Sequence, residues 1–143
     1  MRILVITGSR HLFPKEELRA AFTEVGKYGE KASFIITGDA AGVDHTAAML
    51  AHEMKIATIA AKAWWNDYDK AAGHIRNNDM ATLGAIFQGL GHDVYAHAFP
   101  AADSIGTYRC VERLGELGIP GVMHDVPLYN PGGIKTVMVT GIK

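Results

Sequence analysis

Short apolar runs rich in β-branched residues alternate along this chain with stretches of helical spacing, and the junctions between them are built from small residues. Four junctions stand out: Thr7-Gly8-Ser9-Arg10, Thr37-Gly38-Asp39-Ala40-Ala41-Gly42-Val43-Asp44, Gly73-His74-Ile75-Arg76-Asn77-Asn78-Asp79-Met80 and Ser104-Ile105-Gly106-Thr107. Three of them follow a run of strand character, and all four lead into a helical stretch. A strand followed by a helix and then by another strand of the same sheet closes as a right-handed parallel crossover. Repeated along a chain, that rhythm gives an α/β fold: a Rossmann-like three-layer sandwich around a mainly parallel sheet of about five strands. With 143 residues the chain suits one such domain.

The expected strands are Ile3 to Thr7, Ser33 to Thr37, Ile56 to Ala60, Val94 to Phe99 and Ile119 to Met123. Pro14 suits a first helical turn, with Glu16 and Glu17 near the positive end of that helix. Leu18, Ala21, Phe22 and Val25 then form one apolar stripe at i, i+3, i+4 and i+7. Asp44 is expected to cap the next helix, whose buried stripe is Ala47, Leu50, Ala51 and Met54. A loop from Trp64 to Lys70 precedes a helix from Ala72 to Gln88, and a last helix runs from Gly106 to Leu117. The domain is expected to span 1–126. Residues 127–143 read as an extension, in which Pro131-Gly132-Gly133 is a turn and Lys135 to Ile142 an edge strand or an oligomer contact.

A formal net charge of −1 offers no global attraction for nucleic acid, and Lys and Arg are scattered, so a nucleic-acid partner is not expected. No apolar run is long enough to span a bilayer and no apolar leader is visible, so a cytoplasmic protein with no membrane partner is expected. The single Cys110 excludes an internal disulfide. The seven histidines show no metal spacing, so neither metal nor cofactor is expected. Cys110 itself reads as a small buried side chain.

In an open parallel sheet such junctions gather at the carboxyl ends of the strands, where backbone N–H groups and helix N-termini hold phosphate. Gly8, Ser9 and Arg10 offer close backbone approach, a hydroxyl and a fixed charge. Gly38 and Gly42 flank small residues that let the backbone come near a ligand, and Asp39 can accept from ribose hydroxyls. Arg76, near a helix start, is a paired-donor clamp for phosphate; its structural alternative is an ion pair with Asp67, Asp69 or Asp79. Asn77 and the Gly106-Thr107 turn complete the set, and Trp64 or Trp65 either plugs the core rim or stacks on a base.

Together these segments, across about residues 1–124, resemble the SLOG superfamily of Rossmann-like proteins, and within it the YspA-type, cpYpsA-related branch. Lonely Guy phosphoribohydrolases and DprA are more distantly similar. The branch pattern T-G-S-R, G-A-x-G-x-D, a tryptophan before A-G-x-x-R-N-x-x-M and a later G-T turn is met by Thr7 to Arg10, Asp39 to Asp44, Trp64 or Trp65 with Ala72 to Met80, and Gly106-Thr107. The glutamate of the Lonely Guy motif falls on Cys110, and its double glycine is lost. The resemblance therefore implies a binder of a nucleotide or an ADP-ribose-like molecule, acting as sensor or sequestering protein. Its alternative is an N-glycosidic hydrolase with Arg76 positioning phosphate and Asp39 or Asp103 as acid/base group. A homo-oligomer is also implied, with Tyr108, Val111 and Leu114 either its face or part of the core.

Overall fold

A computed structural model describes residues 1–68, 71–102, 104–125 and 135–139. Among the described residues six strands form one sheet, in the order β3-β2-β1-β4-β5-β6. They are β1 (Arg2–Gly8), β2 (Ala32–Gly38), β3 (Ala57–Ala61), β4 (Asp93–Phe99), β5 (Gly121–Asp125) and β6 (Lys135–Val139). The first five run parallel, and β6 returns antiparallel to β5, Gly121 opposite Val139 and Asp125 opposite Lys135. β6 lies within the Lys135 to Ile142 stretch read as an edge strand or an oligomer contact, of which residues 140–142 are outside the described residues. The Pro131-Gly132-Gly133 turn, Asp69 and Asp103 lie outside the described residues.

Alternation along β1 divides the core. Leu4 and Ile6 face one layer, in which α1 (Lys15–Thr23) and α2 (Val43–Glu53) bury Leu18, Phe22, Val43, Ala47 and Leu50. Ile3 and Val5 face the other, in which α4 (Ala72–Gly89) and α5 (Ile105–Glu116) bury Met80, Ala81, Cys110, Val111 and Leu114. A central strand covered on both faces must be apolar throughout, which is why the β1 sequence reads as a continuous run. Leu114 is fully buried and Val111 nearly so, while Tyr108 is half exposed. The Tyr108–Val111–Leu114 stripe is therefore mostly core.

Three local expectations shift. Val25 is 55% exposed, because α1 stops at Thr23 and Glu24 is already extended, so the i+7 position never reaches the helix face. The loop expected from Trp64 holds a short helix, α3 (Trp65–Tyr68). The fifth strand starts two residues late: Gly118, at φ +75°, turns the chain out of α5, and the Ile119 N–H still bonds the Leu114 carbonyl.

Beneath the sheet, at the amino ends of the strands, Arg2 and Asp93 form a buried ion pair across β1 and β4, Nη1 to Oδ2 at 2.8 Å. The same carboxylate oxygen accepts the Lys27 N–H at 3.1 Å. Along β4 and β5, His97 Nδ1 lies 2.9 Å from His124 Nε2, and the His124 ring stacks on Phe99 at 4.3 Å.

Candidate functional site

Strand order reverses between β1 and β4, since β2 and β3 extend the sheet to one side and β5 to the other. Crossovers leave in opposite directions there, so the loops above part and open a crevice. A cavity of about 270 Å³ occupies that place. Thr7, Gly8, Ser9, Arg10 and His11 line it from the end of β1, Ala40 and Asp44 from the β2–α2 turn, Arg76 and Asn77 from α4, and Ser104 to Thr107 from the start of α5.

The β1 loop is held by its own backbone. Ser9 donates its N–H to the Phe99 carbonyl at 2.9 Å, and its carbonyl accepts the Val43 N–H at 3.0 Å. Its hydroxyl oxygen accepts the His11 N–H at 3.0 Å, which leaves the hydroxyl proton for a ligand. Among the described residues no carboxylate pairs with Arg10.

Gly42 sits at φ +76°, ψ −123°, immediately before α2. A Cβ at this position would run into the backbone of Ser9 and Arg10, so the residue is small for two independent reasons. We expect Gly42→Ala to cost about 1–3 kcal/mol from backbone strain. Because the clash pushes on the β1 loop, the amide spectra of Ser9 to His11 should shift as well. Chemical denaturation beside an amide spectrum checks both, and unchanged loop resonances would refute the second part.

Asp44 lies one residue inside α2 and does not cap it; Gly42 holds the cap position and offers no side chain. The Asp44 carboxylate instead turns toward β2 and the cavity, where it meets the Thr37 hydroxyl at 3.1 Å and accepts the Ala40 N–H at 3.2 Å. Burial raises its pKa above the ordinary carboxylate value, and the neighbouring Arg76 guanidinium opposes that rise. Gly38 makes room for the pair: a Cβ there would lie 2.5 Å from Asp44 Oδ2 and 3.1 Å from Arg76 Nε.

Asp69 lies outside the described residues, and Arg76 is paired with neither Asp67 nor Asp79. Its Nη1 donates to Asp39 Oδ1 at 3.0 Å, and Asp39 Oδ2 accepts the Ala63 N–H at 3.1 Å. Asp39 is thus committed to anchoring the arginine from outside the cavity, where free ribose contact was expected of it. The Arg76 side chain is only 12% exposed, and its Nε is buried with no hydrogen-bond partner among the described residues. A buried guanidinium N–H left open is costly unless something else reaches it.

Asn77 donates to the Gly106 carbonyl at 3.2 Å, tying α4 to the first turn of α5. Ser104, at the cap of α5, accepts the Tyr108 N–H through its carbonyl, but its side chain is spent on the Ala101 N–H at 2.8 Å and does not cap the helix. Among the described residues no side chain meets the first-turn N–H groups of α5 at the cavity wall, at the positive end of a twelve-residue helix. Beneath them Cys110 is fully buried, and burial pushes its thiol up to about 11, so it is neither an acid/base group nor a nucleophile at neutral pH.

Of the residues expected at the site, Gly8, Ser9, Arg10, Arg76, Asn77, Gly106 and Thr107 converge on the cavity. Gly38, Asp39 and Gly42 stand behind its wall and shape it. Trp64 is outside the lining and half exposed, with the Lys62 ammonium 4.8 Å from its ring centroid. Asp44, His11, Ala40, Ser104 and Ile105 line the cavity without having been expected there as ligand contacts. For Asp44 the helix-cap explanation was sufficient, and it hid the second one.

Among the described residues no group of three or more His, Cys, Asp or Glu side chains could hold a metal ion, and no helix is long and apolar enough to cross a membrane. Compared with protein-family models, with curated proteins and with solved structures, the chain matches none.

Proposed function

We propose that the protein binds a nucleotide or an ADP-ribose-like small molecule in the cavity at the β1–β4 switch point, as a sensor or sequestering protein. The observation that carries this reading is the convergence of Arg10, Arg76 and the α5 N-terminus on one crevice at the carboxyl edge of the sheet, where among the described residues Arg76 Nε has no partner and Ser104 does not cap the helix. Those are the donors a phosphate needs. The resemblance to the SLOG superfamily supports the same reading. At about 270 Å³ the cavity is near the lower limit for small-molecule sites, enough for a phosphate and a sugar, with the base directed to the rim.

Holding rather than cutting is favoured by two of the positions considered for acid/base work. Asp39 is occupied by Arg76 and Ala63, and Cys110 stands where the Lonely Guy motif has its glutamate. The protein, purified and then denatured, should release an intact nucleotide or ADP-ribose derivative identifiable by mass spectrometry. Arg76→Ala should lose about 1.5–3 kcal/mol of binding, roughly ten- to a hundredfold in Kd, by calorimetry against the released compound. Release of a free base or a ribose phosphate would instead favour the N-glycosidic hydrolase. Unchanged affinity in Arg76→Ala would overturn the placement of the phosphate.

A further inference from the structure

Asp44 is the single acidic side chain among the described residues lining a cavity otherwise furnished for an anion. A carboxylate in that position opposes the ligand it faces, unless it can be neutralised when the ligand arrives. The oxygen contacts around it allow that. Thr37 Oγ lies 3.0 Å from the Ile6 carbonyl and 3.1 Å from Asp44 Oδ1. A hydroxyl carries one proton and a backbone carbonyl only accepts. With the Thr37 proton aimed at Asp44, the ionised carboxylate is satisfied. With it aimed at Ile6, the Thr37–Asp44 contact is a hydrogen bond only if the carboxyl carries a proton and donates it. Rotation of one hydroxyl therefore accommodates both states, while the Ala40 N–H serves Oδ2 in each.

We propose that the anion site and the Asp44 carboxyl form one linked unit, in which an anion bound between Arg76 and the α5 N-terminus is taken up together with a proton on Asp44. The reading rests on the cavity being an anion site, as proposed above. The groups that face Asp44 are Thr37 from β2, Ala40 N–H and Asp39 from the turn that follows, Arg76 from α4 and the Cys110 thiol from α5. Of these only Arg76 brings positive charge, and an anion bound to Arg76 offsets the charge that keeps Asp44 ionised. Burial already favours the neutral carboxyl. Because linkage is reciprocal, whatever raises the proton affinity of Asp44 on binding also raises anion affinity as pH falls. The consequence for the ligand is selectivity: in its ionised form the carboxylate penalises a bare anion and favours one carrying a hydroxyl beside its phosphate.

Sulfate is the probe, because its charge stays constant across the range in which carboxyls titrate. The Asp44 side-chain carboxyl carbon, followed by NMR in the wild-type protein, should titrate at higher pH in sulfate than in chloride at equal ionic strength. Sulfate should bind up to about tenfold tighter for each pH unit lowered through that titration, the limit for one proton taken up. Asp44→Asn should bind sulfate at neutral pH as tightly as the acidified wild type does. His11 lines the same rim, and reading the Asp44 carbon itself ties the response to this carboxyl alone. If sulfate shifts the amides of Ile105 to Thr107 while the Asp44 carbon titrates as in chloride, the linkage is wrong and the anion site stands. If those amides do not respond to saturating sulfate at any pH, the anion site and the linkage fall together.

Discussion

Asp93→Ala should destabilise the protein by about 3–5 kcal/mol, the cost of leaving a buried charge without its partner. Arg2 and Asp93 are about 95% enclosed as side chains, at 4% and 6% exposure, so water cannot replace the lost carboxylate. Arg2 Nε already lacks a hydrogen-bond partner among the described residues, and the guanidinium lies 5.3 Å from the Tyr95 ring centroid. The substitution also strips the Lys27 N–H of its acceptor and loosens the turn after α1. Urea denaturation with a constant m-value measures the loss. An Arg2→Met, Asp93→Leu double variant should recover much of it, since an apolar pair of similar volume leaves nothing unpaired. A loss below about 1 kcal/mol in Asp93→Ala would show that the pair is solvated and the burial misread.

The second large effect is acid sensitivity around the histidine pair. Burial lowers His97 from its ordinary 6.5 to about 3, with smaller contributions from His124 and Arg2, and burial lowers His124 to about 4. An unpartnered lone pair costs less than an unpartnered N–H. His97 Nε2, which has no partner among the described residues, is therefore the bare nitrogen, and His97 Nδ1–H donates to His124 Nε2. In the unfolded chain both rings protonate as pH drops below 6.5, while in the folded protein they resist protonation until about 4 and about 3. Their contribution to stability is thus fully present above 6.5 and is lost as pH falls through that window. Each group loses about 1.4 kcal/mol per pH unit below 6.5, so by pH ~5 the pair has lost on the order of 4 kcal/mol. Thermal unfolding between pH ~7 and ~5 should show a steep fall in Tm, flattened in a His97→Asn, His124→Asn variant. A wild-type profile that is level over this range would contradict the buried neutral pair.

Architecture was legible because it depends on local signals that agree. The β-branched runs, the Leu18–Ala21–Phe22 stripe and the small junctions all point to one parallel sheet with helices on both sides, which is what forms. Boundaries were less legible, because helix ends are decided by bonds the pattern does not carry, such as the Ile119 N–H reaching back to Leu114. Seven expected site residues converge because a motif at a strand end must lie at the sheet's carboxyl edge. Partnerships between distant residues were invisible. Asp39 with Arg76 and His97 with His124 are 37 and 27 positions apart, and no periodicity relates them. Asp44 was visible as a residue, but a sequence cannot tell a carboxylate that caps a helix from one that leans across it to a neighbouring strand.

The placement of β1 beside β4 reaches into how the molecule assembles. Arg2 is paired with Asp93 across 91 positions of chain, and the cavity above that seam draws its walls from residue 7 to residue 107. No fragment shorter than residues 7–107 contains all of the cavity's walls, and the closure of so long a loop is among the slower events of folding. A compound bound there would therefore report on the whole domain: at a hundred times its Kd it would add about 2.7 kcal/mol to global stability, protecting the amides of every parallel strand together.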